Sequence, residues 1–200
     1  MSNYLELKNY FEKQKIILPI LSAWSGHFDF SQWLVFELEP NIMVELGVDY
    51  GFSSLSLALP GIGHVYGIDC FDGSATAFGR TDTLDFVRSK ISELGLSNIT
   101  LVQSYFDPAA LIWSRPIDIL HIDGTHTYNA VKNDFDTWSK FVTERGVILL
   151  HDTVSNDGVK QFFSEISLPK LNFLHSAGLG VVSRDASLID KIKQNFGQIE

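Results

Sequence analysis

The sequence predicts an α/β fold: a doubly wound, mostly parallel sheet of seven strands that closes on a C-terminal antiparallel hairpin. Three observations carry the prediction. From residue 41 onward, short apolar runs of strand length alternate with amphipathic segments, the pattern of parallel strands joined by crossovers. The first run passes into the first amphipathic segment through Gly47-Val48-Asp49-Tyr50-Gly51, a glycine turn between a buried strand and a helix. Near the C-terminus, Leu171 to His175 and Leu179 to Ser183 are separated by Ser176, Ala177 and Gly178, a hairpin signal.

Ile42 to Leu46 reads as the first strand and Ser53 to Leu59 as a short helix stopped by Pro60. His64 to Ile68 is the second strand. Thr83 to Leu94 carries Leu84, Val87, Ile91 and Leu94 on one helical face, and Gly95 ends it. Ile99 to Gln103 and Ile117 to Ile122 are the third and fourth strands. Thr127 to Val142 reads as a helix with Tyr128, Val131, Phe135, Trp138 and Val142 inward, ahead of a fifth strand at Gly146 to Leu150. Val159 to Ile166 is a further helix before the hairpin. Upstream, residues 3–14 place Tyr4, Leu5, Leu7 and Phe11 at about helical spacing, while Ile16 to Phe36 is aromatic-rich without a definite period. The chain thus divides into an N-terminal helical and aromatic cap over residues 1–40, a ligand-binding domain over 41–185, and a C-terminal helix or tail over 186–200.

Composition narrows the function classes. With 200 residues, 45% apolar and 20% charged, the chain has the balance of one globular unit, and no repeat or Gly/Ser-rich linker divides it. Fifteen basic against 24 acidic side chains leave a formal charge of −9, which repels a phosphate backbone, so a small-molecule substrate is expected rather than nucleic acid. The one cysteine, Cys70, has no partner for an internal disulfide, and no cysteine cluster offers a structural zinc site. The apolar stretch from Ile16 to Trp24 is interrupted by Pro19 and Ser22 and falls short of the ~20 residues that span a bilayer, so no membrane association and a cytoplasmic location are expected. There is no heptad pattern, and whether the chain forms a homo-oligomer stays open.

Two constellations carry chemistry. In the first, Gly47 and Gly51 let backbone N–H groups approach a ligand, but the G-x-x-x-G spacing is not the G-x-G-x-x-G of a dinucleotide cradle. Asp69, at the end of the second strand, is placed to accept both hydroxyls of a ribose, with Phe71 available to lie against a base. Together they point to a nucleoside without a diphosphate, although a structural turn and a surface Asp use the same residues.

The second constellation lies at the ends of the fourth and fifth strands, in Ile122-Asp123-Gly124-Thr125-His126 and Leu150-His151-Asp152-Thr153. Neighbouring strands bring Asp123 and Asp152 to the same edge as the glycine turn, and adjacent carboxylates are costly unless a cation or a proton neutralises them. A divalent cation such as Mg²⁺ suits hard oxygen ligands, with His151 or the Thr153 hydroxyl as a third contributor. His126 is close enough to take a proton from a bound group, or it caps the helix beginning near Thr127. His121, mid-strand, reads as a hydrogen-bonded core histidine.

This set resembles the class I S-adenosylmethionine-dependent methyltransferases, which share a Rossmann-like sheet. More narrowly, Ile122-Asp123-Gly124-x-His126-x-Tyr128-x-x-Val131-x-x-Asp134, followed by Gly146 and His151-Asp152, is similar to the small family that includes metal-dependent sugar O-methyltransferases. The resemblance covers about residues 40–183. It implies that Glu45, Gly47 and Gly51 contact the methionine moiety, with Ser53 beside them, that Asp69 holds the ribose, and that Gln103 and Ser104 border the adenine. It further implies that Asp123 and Asp152 hold the metal and that His126 is the base. Two departures stand out. His151 and Thr153 flank the second acid where relatives have Glu or Asn, and Arg145-Gly146 replaces a doubled glycine. The expected activity is methyl transfer to a hydroxyl of a sugar or other small molecule. A metal-dependent hydrolase built on the histidines, and a non-catalytic nucleoside-binding module, are the alternatives.

Overall fold

A computed structural model of the chain describes residues 9, 12, 13, 18, 20–73 and 83–197. The helix expected over residues 3–14 lies largely outside them. A 3₁₀ turn, Ala23–His27, leads directly into helix α1 (Phe28–Leu38), and then strands and helices alternate: β1 (Ile42–Leu46), α2 (Phe52–Ala58), β2 (His64–Asp69), α3 (Thr83–Glu93), β3 (Ile99–Gln103), α4 (Phe106–Ile112), β4 (Ile117–Ile122), α5 (Tyr128–Trp138), β5 (Val142–His151) and α6 (Asp157–Glu165). The hairpin β6 (Lys170–Phe173) and β7 (Leu179–Ser183) follows, and α7 (Ala186–Phe196) closes the chain.

The seven strands run in the order β3-β2-β1-β4-β5-β7-β6. β1 through β5 pair in parallel, whereas β7 is antiparallel to both β5 and β6. The doubly wound sheet with an antiparallel C-terminal pair is therefore as predicted. β1 is flanked by β2 and β4, so the chain reverses direction across the sheet at β1, and the carboxyl ends of these strands form the switch point where sheets of this kind bind ligands.

The period-two alternation of a strand sorts the core into two layers. Ile42, Val44 and Leu46 of β1, with Leu120 and Ile122 of β4, pack beneath Val131, Trp138, Val159 and Phe162 of α5 and α6. Met43 and Ile119 face the other way, against Trp24, Phe28, Phe30, Trp33, Leu34 and Val35, against Leu55 and Leu57 of α2, and against Leu188 and Ile192 of α7. Trp24, Phe28, Phe30 and Trp33 are thus packed on the sheet, each buried large side chain contributing about 1.5–3 kcal/mol of transfer free energy. Among the described residues no helix is long and apolar enough to cross a membrane.

Three elements differ from the expectation. The helix from Tyr128 ends at Trp138, and Val142, expected as its last inward residue, opens β5 by pairing with Ile117. The register then shifts, Ile119 pairing with Val147, so the irregularity takes up the residues between. Helix α4 supplies the crossover between β3 and β4, which two parallel strands require, and accommodates Pro108 in its first turn. β6 stops at Phe173, leaving a longer hairpin loop in which Ser176, Ala177 and Gly178 all have positive φ (53°, 70° and 92°).

Candidate active site

The glycine turn is shaped by close approach. Gly47 has φ +92°, and its N–H donates to Ile68 O at 2.9 Å. A Cβ there would lie 2.1 Å from Asp123 O, while Asp123 N–H reaches back to Leu46 O at 2.8 Å. The ends of β1, β2 and β4 thereby converge on one point. Gly51 caps α2 with φ +78°, where a side chain would meet Val87.

Asp69 ends β2 against this turn. Its Oδ2 accepts from the N–H groups of Val48 (2.8 Å) and Asp49 (3.2 Å), and its Oδ1 from that of Phe71 (2.8 Å). Three backbone donors thus fix the carboxylate beside the turn and leave one lone-pair site, on Oδ1, for a hydroxyl donor. Phe71 turns inward, packing with Val48 and Val87 and only 5% exposed. Gln103 and Ser104 stand beside Asp69: Gln103 Nε2 donates to Cys70 O at 3.3 Å, and Ser104 N–H donates to Asp69 O at 2.9 Å. Tyr105, an exposed ring beside them that only its place directly after Gln103-Ser104 signals in the sequence, donates its hydroxyl to Asp72 at 2.9 Å.

Glu45 is placed differently from the rim residues. Its side chain is fully buried, accepts from the Ser53 and Ser54 hydroxyls, and receives His121 Nδ1–H at 2.7 Å. Ser53, in the first turn of α2, is therefore tied to Glu45 from below the crevice. His121 is the buried, hydrogen-bonded core residue that its mid-strand position suggested.

At the ends of β4 and β5, Asp123, His126 and Asp152 come together, one ligand atom of each lying within 4.8 Å of the others. His126 Nε2 is 2.9 Å from Asp152 Oδ2 and 3.4 Å from Asp123 Oδ1. Thr127, rather than His126, supplies the cap of α5, its hydroxyl accepting from Ala130 N–H. His151 joins the cluster from within: Nδ1 lies 3.3 Å from Asp123 Oδ2 and 3.4 Å from Asp152 Oδ2, and Nε2–H donates to Ser176 O at 3.1 Å. Thr153 does not join. Its hydroxyl donates to Asn172 Oδ1 at 2.6 Å, away from the acids. Ser155, which the sequence reading passed over, donates to Asp152 Oδ1.

The electrostatics follow from this packing. Its hydrogen bonds to Asp123 and then to Asp152 raise the His126 pKa to about 9, against some desolvation. Burial opposes a charge on His151, but the Asp123 and Asp152 carboxylates override it and carry its pKa to about 10. Burial likewise works against ionised Asp123 and Asp152, yet the two imidazoles hold both well below the usual carboxylate range. Two carboxylates face two imidazolium groups, so the neutralisation that adjacent acids require is supplied by protons on histidine. The same donors fit a divalent cation: two carboxylate oxygens, one imidazole nitrogen within reach, and a second imidazole whose far N–H is held by a backbone carbonyl, the arrangement that leaves Nδ1 free to ligate. Asp152 sits at φ +65°, a left-handed conformation that costs a non-glycine residue about 1–2 kcal/mol.

A family model described as a methyltransferase domain matches residues 44–153, from β1 through the Asp152 turn. The protein y4gI of Sinorhizobium fredii is 32% identical over 173 residues, covering 80% of this chain and 19% of that protein, so the chain spans about a fifth of the length of this relative. Among solved structures, the O-methyltransferase from Bacillus cereus in complex with S-adenosylhomocysteine superposes with a TM-score of 0.60 at 19% identity, over 92% of this chain and 91% of that one. A methyltransferase from Geobacter sulfurreducens gives 0.60 at 16% identity over 88% and 86%. The S-adenosylhomocysteine-bound methyltransferase PaMTH1 of Podospora anserina gives 0.58 at 12% identity over 91% and 95%. With a family match over more than half its length, the chain belongs to the family that the model describes as a methyltransferase domain, and its fold is that of the methyltransferase structures on which it superposes.

Proposed function

We propose that the protein is an O-methyltransferase that transfers the methyl group of S-adenosylmethionine to a hydroxyl of a sugar or other small molecule, assisted by a divalent cation. The observation that carries this reading is the contact between the two constellations: Gly47 touches the backbone of Asp123, which begins the Asp123, His126 and Asp152 cluster. A methyl donor on the glycine turn and a hydroxyl held at the cluster are then neighbours.

In this reading Asp69 takes a ribose hydroxyl on its remaining Oδ1 site, Gln103 and Ser104 border the adenine, Gly47 and Gly51 give the methionine moiety access to the turn, and Ser53 with the buried Glu45 fixes the start of α2. Phe71 supports the turn from its apolar side, through Val48. Asp123 and Asp152 would hold the cation, with His151 Nδ1 as the nitrogen donor beside them and His126 left for the proton. A cation in that place lowers the pKa of an acceptor hydroxyl. Mixed carboxylate and imidazole donors suit Mn²⁺ or another transition ion as well as Mg²⁺.

His126 is 40% exposed and can meet an acceptor directly. It serves as the base in its neutral form, and a cation held by Asp123 and Asp152 would offset the charges that keep it protonated. The net charge of −9 favours a neutral or cationic acceptor.

Methyl transfer from labelled S-adenosylmethionine to a panel of sugar and phenolic hydroxyls, with Mg²⁺, with Mn²⁺ and with chelator, tests the proposal. Turnover lost in chelator and restored by cation supports it. Undiminished turnover in chelator removes the cation, and the absence of any S-adenosylhomocysteine binding removes the methyl donor.

A further inference from the structure

Glu45 on β1 and His121 on β4 are paired in register and share one face of the sheet, and both are fully buried. Two residues earlier on the same strands and the same face, Met43 and Ile119 belong to the apolar core. A carboxylate in such surroundings is costly unless its lone pairs are filled. Here they are filled from two directions. The Ser53 and Ser54 hydroxyls donate to Glu45 Oε1 and Oε2, and His121 Nδ1 lies 2.7 Å from Oε1.

The state of His121 is set from the other side of its ring. Trp24 Nε1 lies 3.1 Å from His121 Nε2. An indole N–H can only donate, so His121 Nε2 is the acceptor and the ring proton is on Nδ1, aimed at Glu45. Trp24, 2% exposed, belongs to the 3₁₀ turn that precedes α1, and its indole meets the His121 ring edge-on at 5.3 Å. Ser53 and Ser54 belong to the first turn of α2, directly after Gly51. A chain of hydrogen bonds therefore runs from the N-terminal segment, through two strands, to the helix that starts at the glycine turn.

We propose that Trp24 and His121 are positioning residues for the cofactor turn. Trp24 fixes the His121 tautomer, His121 fixes the Glu45 carboxylate, and Glu45 holds the Ser53 and Ser54 hydroxyls and with them the start of α2. The N-terminal segment, which packs on the sheet outside the matched family region, thereby sets cofactor affinity. The inference rests on the reading that this turn binds S-adenosylmethionine.

Three variants test it: Trp24→Phe, which keeps an aromatic ring and loses the N–H; His121→Leu, which loses both ring nitrogens; and His121→Asn, whose amide nitrogen stands in for Nδ1 and keeps a donor toward Glu45 without needing a tautomer to be fixed. The measurements are S-adenosylhomocysteine affinity by calorimetry and amide hydrogen exchange over residues 52–58 of the ligand-free protein. Trp24→Phe and His121→Leu are expected to weaken binding about tenfold, the scale of one lost buried hydrogen bond, and to speed exchange in α2 while β6 and β7 exchange as in the wild type. His121→Asn is expected to return affinity to within about threefold of wild type. Affinity decides whenever the wild type binds: unchanged affinity in Trp24→Phe and His121→Leu, or an Asn variant as weak as the Leu one, overturns the proposal. Should His121→Leu fail to fold, Trp24→Phe and His121→Asn carry the comparison. A wild type that binds no S-adenosylhomocysteine ends the cofactor reading, and exchange in α2 then decides the positioning role: faster exchange in Trp24→Phe sustains it and unchanged exchange ends it.

Discussion

His126 Nε2 lies 2.9 Å from Asp152 Oδ2, and this contact links the two strand ends on which the site is built. Asp152→Asn removes one of the two carboxylates that hold the His126 pKa at about 9. The imidazole is expected to titrate nearer its ordinary 6.5, followed by ¹³C or ¹⁵N resonances of the ring. Turnover is expected to fall at least about a hundredfold, since both a cation ligand and the partner of the base are lost, while S-adenosylhomocysteine affinity changes less than about threefold.

His27 predicts a pH dependence of stability. It is fully buried against Trp24, Phe173, His175 and His151, and among the described residues its Nδ1 has no hydrogen-bond partner. Burial, reinforced by His175 and His151, lowers its pKa from 6.5 to about 3. Above pH 6.5 the folded and unfolded forms carry the same neutral ring. As pH falls below 6.5 the unfolded chain takes up a proton that the folded one refuses, and stability declines by up to about 1.4 kcal/mol per pH unit until about pH 3. His27→Phe keeps the ring packing and abolishes that slope, measurable as the variant-minus-wild-type difference in urea unfolding between pH 4 and pH 7.

Asp134 has the opposite sign. Burial, and then the charge of Asp107, raises its pKa from 3.8 to about 7. Its contribution is fully present below pH 3.8 and is lost as pH rises through 7, because the unfolded chain releases the proton first. Asp134→Asn is therefore expected to gain stability relative to wild type as pH rises from 4 to 7, by up to about 1.4 kcal/mol per unit. Over pH 4 to 6.5 the His27 and Asp134 slopes offset each other in the wild-type curve, so only the variant differences expose them.

Gly47→Ala tests the convergence of β1, β2 and β4. The added methyl would stand 2.1 Å from Asp123 O at φ +92°, and the combined clash and backbone strain is expected to cost about 3 kcal/mol or more of unfolding free energy. Gly61 is the control: it has φ +72° with open space where a Cβ would lie, so Gly61→Ala is expected to cost only about 1–2 kcal/mol. Equal losses in the two variants would show that the Asp123 backbone yields and that the strand ends are not tightly joined.

Much of the sheet was legible because its central strands are buried on both faces. Ile42–Leu46, Ile117–Ile122 and Leu179–Ser183 read at their observed bounds from mostly apolar runs, and so does the partly exposed edge strand Ile99–Gln103. Val142 reads as helical because it continues the helical spacing of Val131, Phe135 and Trp138; only its pairing with Ile117, a tertiary contact, places it in a strand. The meeting of Asp123, His126 and Asp152 followed from neighbouring strand ends. The inward turn of His151 depended on a register that the sequence leaves free, and the Trp24 bond to His121 spans 97 positions that no local pattern connects.

The most direct test of the account is a crystal structure of the protein with S-adenosylhomocysteine and Mn²⁺. A ribose hydroxyl is expected within about 3 Å of Asp69 Oδ1, the thioether sulfur on the Gly47 side of the Asp123, His126 and Asp152 cluster, and the ion on the two carboxylates. A ligand seated away from Asp69, or an ion that leaves Asp123 and Asp152 untouched, would contradict it.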